Sequence, residues 1–260
     1  MKKIVFPEGN NPYIQAAIKK FPLNNAVSLN GGKEALEIAS EMLANSEVDA
    51  MIAGIDYTSR DVILTVRDKI GMLAGGKLFS SLFVCDLPDG ERLIVSDGAS
   101  CKHPNTEQLA EIIHLNYLAA KKLLPEEPRI AVLSFSTFGS GGKDESITRS
   151  REAIKLVRER WPEIKVDGEM QLDAAIVERV GAKKGAGSEV AGQANVLITP
   201  DIIAGNILYK AIEWIGKARV AGPILLGFKK PVSDLSRGSS VEDILLSIDC
   251  ILKLCADESR

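Results

Sequence analysis

The sequence predicts an α/β protein with mostly parallel sheets, divided into two α/β domains. Short apolar runs alternate with stretches of helical periodicity, the pattern of parallel strands joined by crossover helices. One pair of runs breaks the alternation. Residues 79–85 and 92–96 are separated by Leu87-Pro88-Asp89-Gly90, a turn-forming sequence, and are expected to form an antiparallel hairpin. The stretches 71–77 and 227–231 read as passages of the chain between domains. That assigns 1–76 and 230–260 to a first domain and 77–229 to a second. A cleft between two such domains is a usual place for a ligand.

In chain order, the apolar run at 3–6 is a strand and 12–20 a helix. A helix at 33–45 leads to a strand at 49–53, built on Ala50-Met51-Ile52-Ala53, and 59–71 is the next helix. After the hairpin come a helix at 105–123, the strongest strand at 129–135, a helix at 148–161, a short strand at 165–166 and a helix at 173–182. A strand at 195–198, a helix at 205–215 and a strand at 223–227 follow. The last helix, 240–255, is marked by Ile244, Leu245, Ile248, Ile251, Leu252 and Cys255 at helical spacing.

Composition narrows the function. The chain has 260 residues, 45% hydrophobic and 26% charged, ordinary values for a globular protein with a sizeable core. A net charge of −3 and the lack of a basic stripe argue against nucleic acid as a partner. No apolar stretch reaches membrane-spanning length. The apolar run at 4–6 is too short for a signal peptide, so none is expected there. Cys85, Cys101, Cys250 and Cys255 have no CxxC spacing, and with two histidines they complete no zinc set. Reduced thiols and a cytoplasmic location are expected.

The segment Asp234-Leu235-Ser236-Arg237-Gly238-Ser239-Ser240-Val241-Glu242-Asp243 concentrates chemistry at a helix start. Ser239 and Ser240 are good N-caps, and Glu242 and Asp243 follow them at capping-box spacing. A helix N-terminus offers free N–H groups and partial positive charge to an anion. Arg237 adds a forked cation matched to phosphate. A phosphate-bearing or thiolate-bearing reactant would suit the spot.

Other strand ends carry candidate binding groups. Ser136, Thr137, Gly139 and Ser140 follow the strand at 129–135, where α/β proteins bind ligands, although the segment is not a P-loop. Thr58 and Arg60 follow the strand at 49–53, where Arg60 could meet phosphate or pair with Asp56. Asn206 and Lys210 share one helix face. Asp167, Glu169 and Asp173 are either oxygen ligands for a metal or a helix-start cluster; the cluster is the expectation, with no metal.

Together these stretches resemble the phosphate acetyl/butyryl transferase family. The matching pieces are Lys3-Ile4-Val5-Phe6-Pro7-Glu8-Gly9, Ala131-Val132-Leu133-Ser134-Phe135-Ser136-Thr137, the stretch 166–175, Ala194-Asn195-Val196-Leu197-Ile198, Gly205-Asn206-Ile207-Leu208-Tyr209-Lys210 and the stretch 222–243, all in family order. The resemblance implies a fold like that of isocitrate and isopropylmalate dehydrogenases, with an interdomain cleft, in a homodimer. It implies acyl-CoA plus phosphate giving acyl phosphate plus CoA, for an acetyl, butyryl or related short acyl group. Coenzyme A is then a substrate, and no cofactor is permanently bound. The family's active-site serine, arginine and aspartate match Ser236, Arg237 and Asp243. By that resemblance Asp243 takes the CoA thiol proton, Ser236 hydrogen-bonds the carbonyl oxygen, and Arg237 holds the phosphoryl group or thiolate during direct transfer in a ternary complex.

The chain departs from the family in places. It is shorter between 21 and 46, where relatives carry a helix with a CoA-binding arginine. Leu64 and Trp214 stand where relatives have arginines, and Gly98 stands where they have a cysteine. This pattern fits altered acyl or CoA recognition, for which Arg60 or Arg67 could compensate. Two other readings are a non-catalytic paralogue that binds CoA or acyl phosphate and an NAD(P) oxidoreductase of similar fold. The second rests on fold analogy, since no Gly-x-Gly-x-x-Gly follows a strand.

Overall fold

The computed structural model describes residues 2–21, 25–73, 76 and 78–255. In chain order its elements are β1 (Ile4–Phe6), α1 (Pro12–Lys20), β2 (Ala26–Ser28), α2 (Gly32–Ala44), β3 (Ala50–Ala53), α3 (Ser59–Lys69), β4 (Ser80–Asp86), β5 (Arg92–Ser96), α4 (Thr106–Leu123), β6 (Arg129–Leu133), α5 (Glu145–Arg160), β7 (Lys165–Met170), α6 (Leu172–Ile176), α7 (Glu178–Lys184), β8 (Val196–Ile198), α8 (Ile202–Trp214), β9 (Arg219–Leu226), β10 (Val232–Asp234) and α9 (Val241–Cys255). The chain divides into two compact units, Met1–Phe79 with Arg219–Arg260 and Ser80–Ala218. Of the passage expected at 71–77, positions 74, 75 and 77 lie outside the described residues.

In the first unit the strand order is β2-β1-β3-β10-β9, parallel except for β9, which runs antiparallel to β10. Val5, Leu36, Met51, Val62, Val66 and Val232 pack in one buried cluster between strands and helices. In the second unit the order is β4-β5-β8-β6-β7. There β5, β8, β6 and β7 are parallel, and β4 and β5 form the expected antiparallel hairpin. Gly90 turns the hairpin with φ 94°, a left-handed angle that costs glycine little. Arg92 Nε donates to Asp86 Oδ1 at 2.6 Å beside the turn. Mostly parallel α/β organisation therefore holds in both units, and no described helix is long and apolar enough to cross a membrane.

Several boundaries differ from the sequence reading, each for a physical reason. Strands β2 and β10, Ala26-Val27-Ser28 and Val232-Ser233-Asp234, lack the unbroken apolar run that marks the equally short β1 and β8. β9 starts at Arg219 rather than 223 and belongs to the first unit, because it pairs with β10 there. α5 starts at Glu145 rather than 148, because Asp144 caps it by accepting from the Ser146 N–H at 2.8 Å. α8 likewise starts at Ile202, where Asp201 accepts from the Ala204 N–H at 2.9 Å. The helix expected at 173–182 is two, α6 and α7, because Val177 between them has extended backbone angles.

Glu8, 1% exposed, fixes the loop after β3. Its carboxylate accepts from the N–H groups of Gly54 at 2.9 Å, Asp56 at 2.6 Å and Tyr57 at 3.1 Å. Burial pushes its pKa up, and those three donors offset part of the rise. Glu8→Ala orphans three backbone donors, so a loss of roughly 2–4 kcal/mol in urea unfolding is expected; an unchanged midpoint would show that water replaces the carboxylate at no cost.

Candidate active site

The first unit gathers five of the residues singled out in the sequence. β3 and β10 are parallel neighbours, with Ala53 opposite Asp234. Their carboxyl-terminal loops therefore leave the sheet side by side. One leads into α3, with Thr58 at its cap and Arg60 in its first turn; the other carries Ser236 and Arg237. The Leu235 N–H donates to the Ala53 carbonyl, which ties the two exits together.

The 236–239 turn closes through the Ser239 N–H to the Ser236 carbonyl at 2.9 Å. Ser236 is half-buried, and its hydroxyl accepts a long bond from the Gly238 N–H at 3.4 Å. Arg237 is exposed. Arg237 and Arg60 have no ion-pair partner among the described residues, and Asp56 is hydrogen-bonded instead by the Asn11 amide at 3.0 Å. Two guanidinium-bearing segments thus meet at one end of the first unit's sheet with their charge uncompensated. This is a suitable field for a phosphate.

Asp243 closes the turn from behind. It is 8% exposed, and its carboxylate accepts from Ser240 N at 2.8 Å, Ser240 Oγ at 2.7 Å and Val220 N at 3.1 Å. The Asp243 N–H donates back to Ser240 Oγ at 3.2 Å. The capping-box pair is therefore Ser240 with Asp243, and it also pins α9 to β9. Glu242, the other acid at capping spacing, points to Lys20 instead, at 3.0 Å. Thr58 caps α3, accepting from the Asp61 N–H at 3.2 Å and donating to Asp61 Oδ2 at 2.7 Å.

Asp234 is the group that sequence reasoning passed over. It is fully buried, and neither carboxylate oxygen has a hydrogen-bonding partner among the described residues. Burial pushes its pKa up to about 7; the adjacent Ser59 hydroxyl, outside hydrogen-bond geometry, pulls it down, and Glu8 pushes it up further. Only a glycine fits opposite it. A Cβ on Gly54, whose φ is 109°, would lie 2.2 Å from Asp234 Oδ1. In sequence Asp234 ends a three-residue strand, so nothing flagged its burial.

In the second unit the candidate groups are largely occupied. Ser136 Oγ donates to Glu169 Oε1 at 2.7 Å and accepts from Gly141 N at 2.9 Å. Thr137 Oγ1 accepts from Gln171 N at 3.0 Å, and Ser140 Oγ accepts from Thr137 N at 3.0 Å. Gly139, at φ 90°, donates its N–H to Glu169 Oε1 at 2.8 Å. Glu169 is buried, and although burial acts most strongly on its carboxyl, raising its pKa, the Gly139, Ser136 and Arg151 donors together hold it below the usual range. The N–H groups of 137–142 are likewise taken up inside the loop or by Glu169. Asn206 Nδ2 donates to the Gly98 carbonyl at 3.1 Å, and the exposed Lys210 lies over the Tyr209 ring at 5.0 Å. Asp167, Glu169 and Asp173 each bond a different cation: Arg158, Arg151 and Lys184. A cavity of about 320 Å³ beside α5, lined by Arg151, Lys155, Arg158 and Gly168, holds none of the candidate residues. Gly98 has no room for the cysteine of relatives, since a Cβ there would lie 2.9 Å from Phe83 Cε2 and 3.1 Å from the Gly205 carbonyl carbon.

Comparison with known proteins decides the family. Residues 29–250 match phosphate acetyl/butaryl transferase. The chain belongs to that family. It is 41% identical over 235 residues to the phosphate acetyltransferase of Treponema pallidum, covering 88% of this chain and 69% of that protein. It is 40% identical over 218 residues to that of Clostridium acetobutylicum, covering 82% and 65%. The chain thus spans about two thirds of the length of these relatives. A phosphotransacetylase structure from Streptococcus pyogenes superposes with a TM-score of 0.87 at 29% identity, covering 98% of this chain and 94% of that one. A 4-hydroxythreonine-4-phosphate dehydrogenase from Klebsiella pneumoniae superposes at 0.59 and 11% identity over 98% of this chain and all of that one, a likeness of fold alone.

Asp234 generates a prediction about stability. Its folded pKa of about 7 lies above the ordinary value of 3.8, so the folded state holds a proton the unfolded state has released. Stability on this account falls as pH rises through that window. Asp234→Asn does not titrate, so relative to the unchanged protein it should gain about 2–3 kcal/mol between pH 5 and pH 8 in urea unfolding. An equal difference at both pH values would place the pKa elsewhere.

Proposed function

We propose that this protein is a phosphate acyltransferase that exchanges a short acyl group between CoA and phosphate. The observation that carries the reading is the Ser236–Arg237 turn, with an uncompensated cation at a parallel strand end, in a chain of this family. Arg237 binds the phosphoryl oxygens of the acyl phosphate, and Arg60 in the first turn of α3 adds a second positive charge. The Ser236 hydroxyl donates to the carbonyl oxygen as it gains negative charge. Asp243 is the family's acidic position. It holds the turn through Ser240 on Oδ2, while Oδ1 accepts only from Val220 N and keeps a lone pair for a proton. In the second unit, Gly139 and its neighbours, with Asn206 and Lys210, are the proposed contacts to the rest of the substrates. The acyl chain is proposed to be short; Leu64 and Trp214 replace charge with apolar surface and favour a group less polar than those relatives select.

The proposed assembly is a homodimer in the cytoplasm. Its support is α8, an apolar helix that buries only Gly205 and Tyr209 and leaves Ile203, Ile207 and Trp214 each more than half exposed on one stripe. A second copy of the same stripe is the proposed cover.

Purified protein mixed with CoA and a panel of acyl phosphates should consume thiol with at least one chain length. Arg237→Ala should cut kcat/KM by about 10²–10³ and Ser236→Ala by about 10–10²; no turnover by the unchanged protein with any acyl phosphate would overturn the reading. Light scattering should give twice the chain mass, and Ile207→Glu should halve it without unfolding the protein.

A further inference from the structure

We propose that the cavity beside α5 binds a small metabolite with two or three anionic groups, and that its occupant weakens substrate binding through Arg151 and Glu169. Binding stands on the cavity itself; the effect on turnover rests on the phosphate acyltransferase reading. Three observations carry it. The first is the space. The cavity measures about 320 Å³, at the lower end of the roughly 300–1,000 Å³ typical of ligand pockets. Arg151, Ile154, Lys155 and Arg158 line it at i, i+3, i+4 and i+7, one face of α5. Ile154 is buried, and Gly168 contributes backbone.

The second is an excess of donors. Arg151 commits Nε to Glu169, and Arg158 commits Nη2 to the Val166 carbonyl and Asp167. The other nitrogens of both guanidinium groups have no acceptor among the described residues. Lys155 has only Glu159, at 3.9 Å, too far for a hydrogen bond. The side chains of Arg151, Arg158 and Lys155 are 49%, 55% and 77% exposed, so their unused N–H groups are open to a solute. The acids nearby are engaged. Glu169 accepts from Ser136, Gly139 and Arg151, and Asp167 Oδ1 accepts from Arg158 and the Gly168 N–H. With Glu159 these acids balance the three cations; acceptors, not charge, are what the cavity lacks. A carboxylate or phosphate supplies acceptors alone, in the planar pairs that a guanidinium fork matches. Arg151 and Arg158 start about 10 Å apart along the helix, a span that favours more than one anionic group.

The third is the link from the cavity to the end of β6. Arg151 Nε bonds Glu169 Oε2 at 2.7 Å, and Glu169 Oε1 holds the Ser136 hydroxyl and the Gly139 N–H. Arg151 also packs on that loop, since a Cβ on Gly139 would lie 2.7 Å from its Nη2. An anion that draws the Arg151 fork into the cavity takes the ion-pair partner from a fully buried carboxylate, a costly loss. The carboxylate shifts, and the 136–141 segment it fastens shifts with it. Phe138 there has φ 47°, a left-handed angle that costs a bulky residue and that a released loop gives up. The loop is a proposed contact to the substrates, so its release raises the KM for CoA. By linkage, bound CoA weakens the anion equally.

The test titrates the protein with citrate and with fructose 1,6-bisphosphate, each against sodium chloride of equal ionic strength. At about tenfold over its Kd, one of them should raise the melting temperature by roughly 2–4 °C. Tighter binding of citrate assigns carboxylates as the ligand groups, and tighter binding of the bisphosphate assigns phosphates. Lys155→Glu, at an exposed position, should weaken that binding about tenfold or more and leave turnover without the anion unchanged. In the unchanged protein a saturating anion should raise the KM for CoA about fivefold and then level off. Glu169→Gln should keep anion binding and lose most of that rise. No melting shift beyond chloride, or a shift undiminished in Lys155→Glu, overturns the site. A KM that stays constant, or that climbs with the anion without levelling, overturns the link to the loop. Each of these results leaves the acyltransferase reading intact. An inactive unchanged protein overturns that reading and the effect on KM together, while the Lys155-dependent melting shift still decides the site.

Discussion

The parallel pairing of β10 with β3 is the constraint on which the candidate site depends. These strands come from opposite ends of the chain, and three residues of β10 suffice to seat it. The Leu235 N–H on the Ala53 carbonyl extends the ladder one step beyond the strand. From there the two loops diverge under separate restraints. Glu8 gathers the N–H groups of Gly54, Asp56 and Tyr57 on one side, and Ser240 with Asp243 closes the turn on the other. Each cation is thus carried by a short segment held in place by these bonds, and its charge is left for a ligand.

The two units use buried acids in different ways. Glu169 in the second unit is surrounded by a hydroxyl, a backbone N–H and Arg151, and is held ionised. Asp234 in the first has no such escort. The cost of burying a carboxylate without donors is several kcal/mol if it stays charged, so it keeps its proton instead. One arrangement fastens a loop, and the other leaves a carboxyl that titrates near neutral pH.

Much of this was legible in the sequence because it depends on local pattern. The alternation of runs gave the parallel α/β organisation, Pro-Asp-Gly gave the hairpin, and the serines ahead of Glu242 and Asp243 marked the start of α9. The motifs at 3–9, 131–137 and 205–210 supported the family. What stayed hidden depends on partners distant in sequence. β2 and β10 are strands only because β1 and β3 lie beside them. Asp234 reads as one polar residue among several until Gly54 and Glu8 enclose it. Ser136, Thr137 and Ser140 read as free hydroxyls, and only the fold shows that Glu169 and Gln171 engage Ser136 and Thr137 while Ser140 is spent inside the loop itself.

The closure around Gly98 reaches beyond packing. The family resemblance leads one to expect a sulfur at that point, and here the backbone of 205–206 and the ring of Phe83 occupy its space. The remaining sulfurs offer little in exchange: Cys85 is sealed in β4 with its pKa pushed up to about 12, Cys101 is raised as well, and Cys250 and Cys255 are buried in α9. Alkylating agents and peroxides attack the thiolate form, so this surface gives them scant purchase. A protein built this way should ride out oxidative episodes that would disable one dependent on an exposed thiolate.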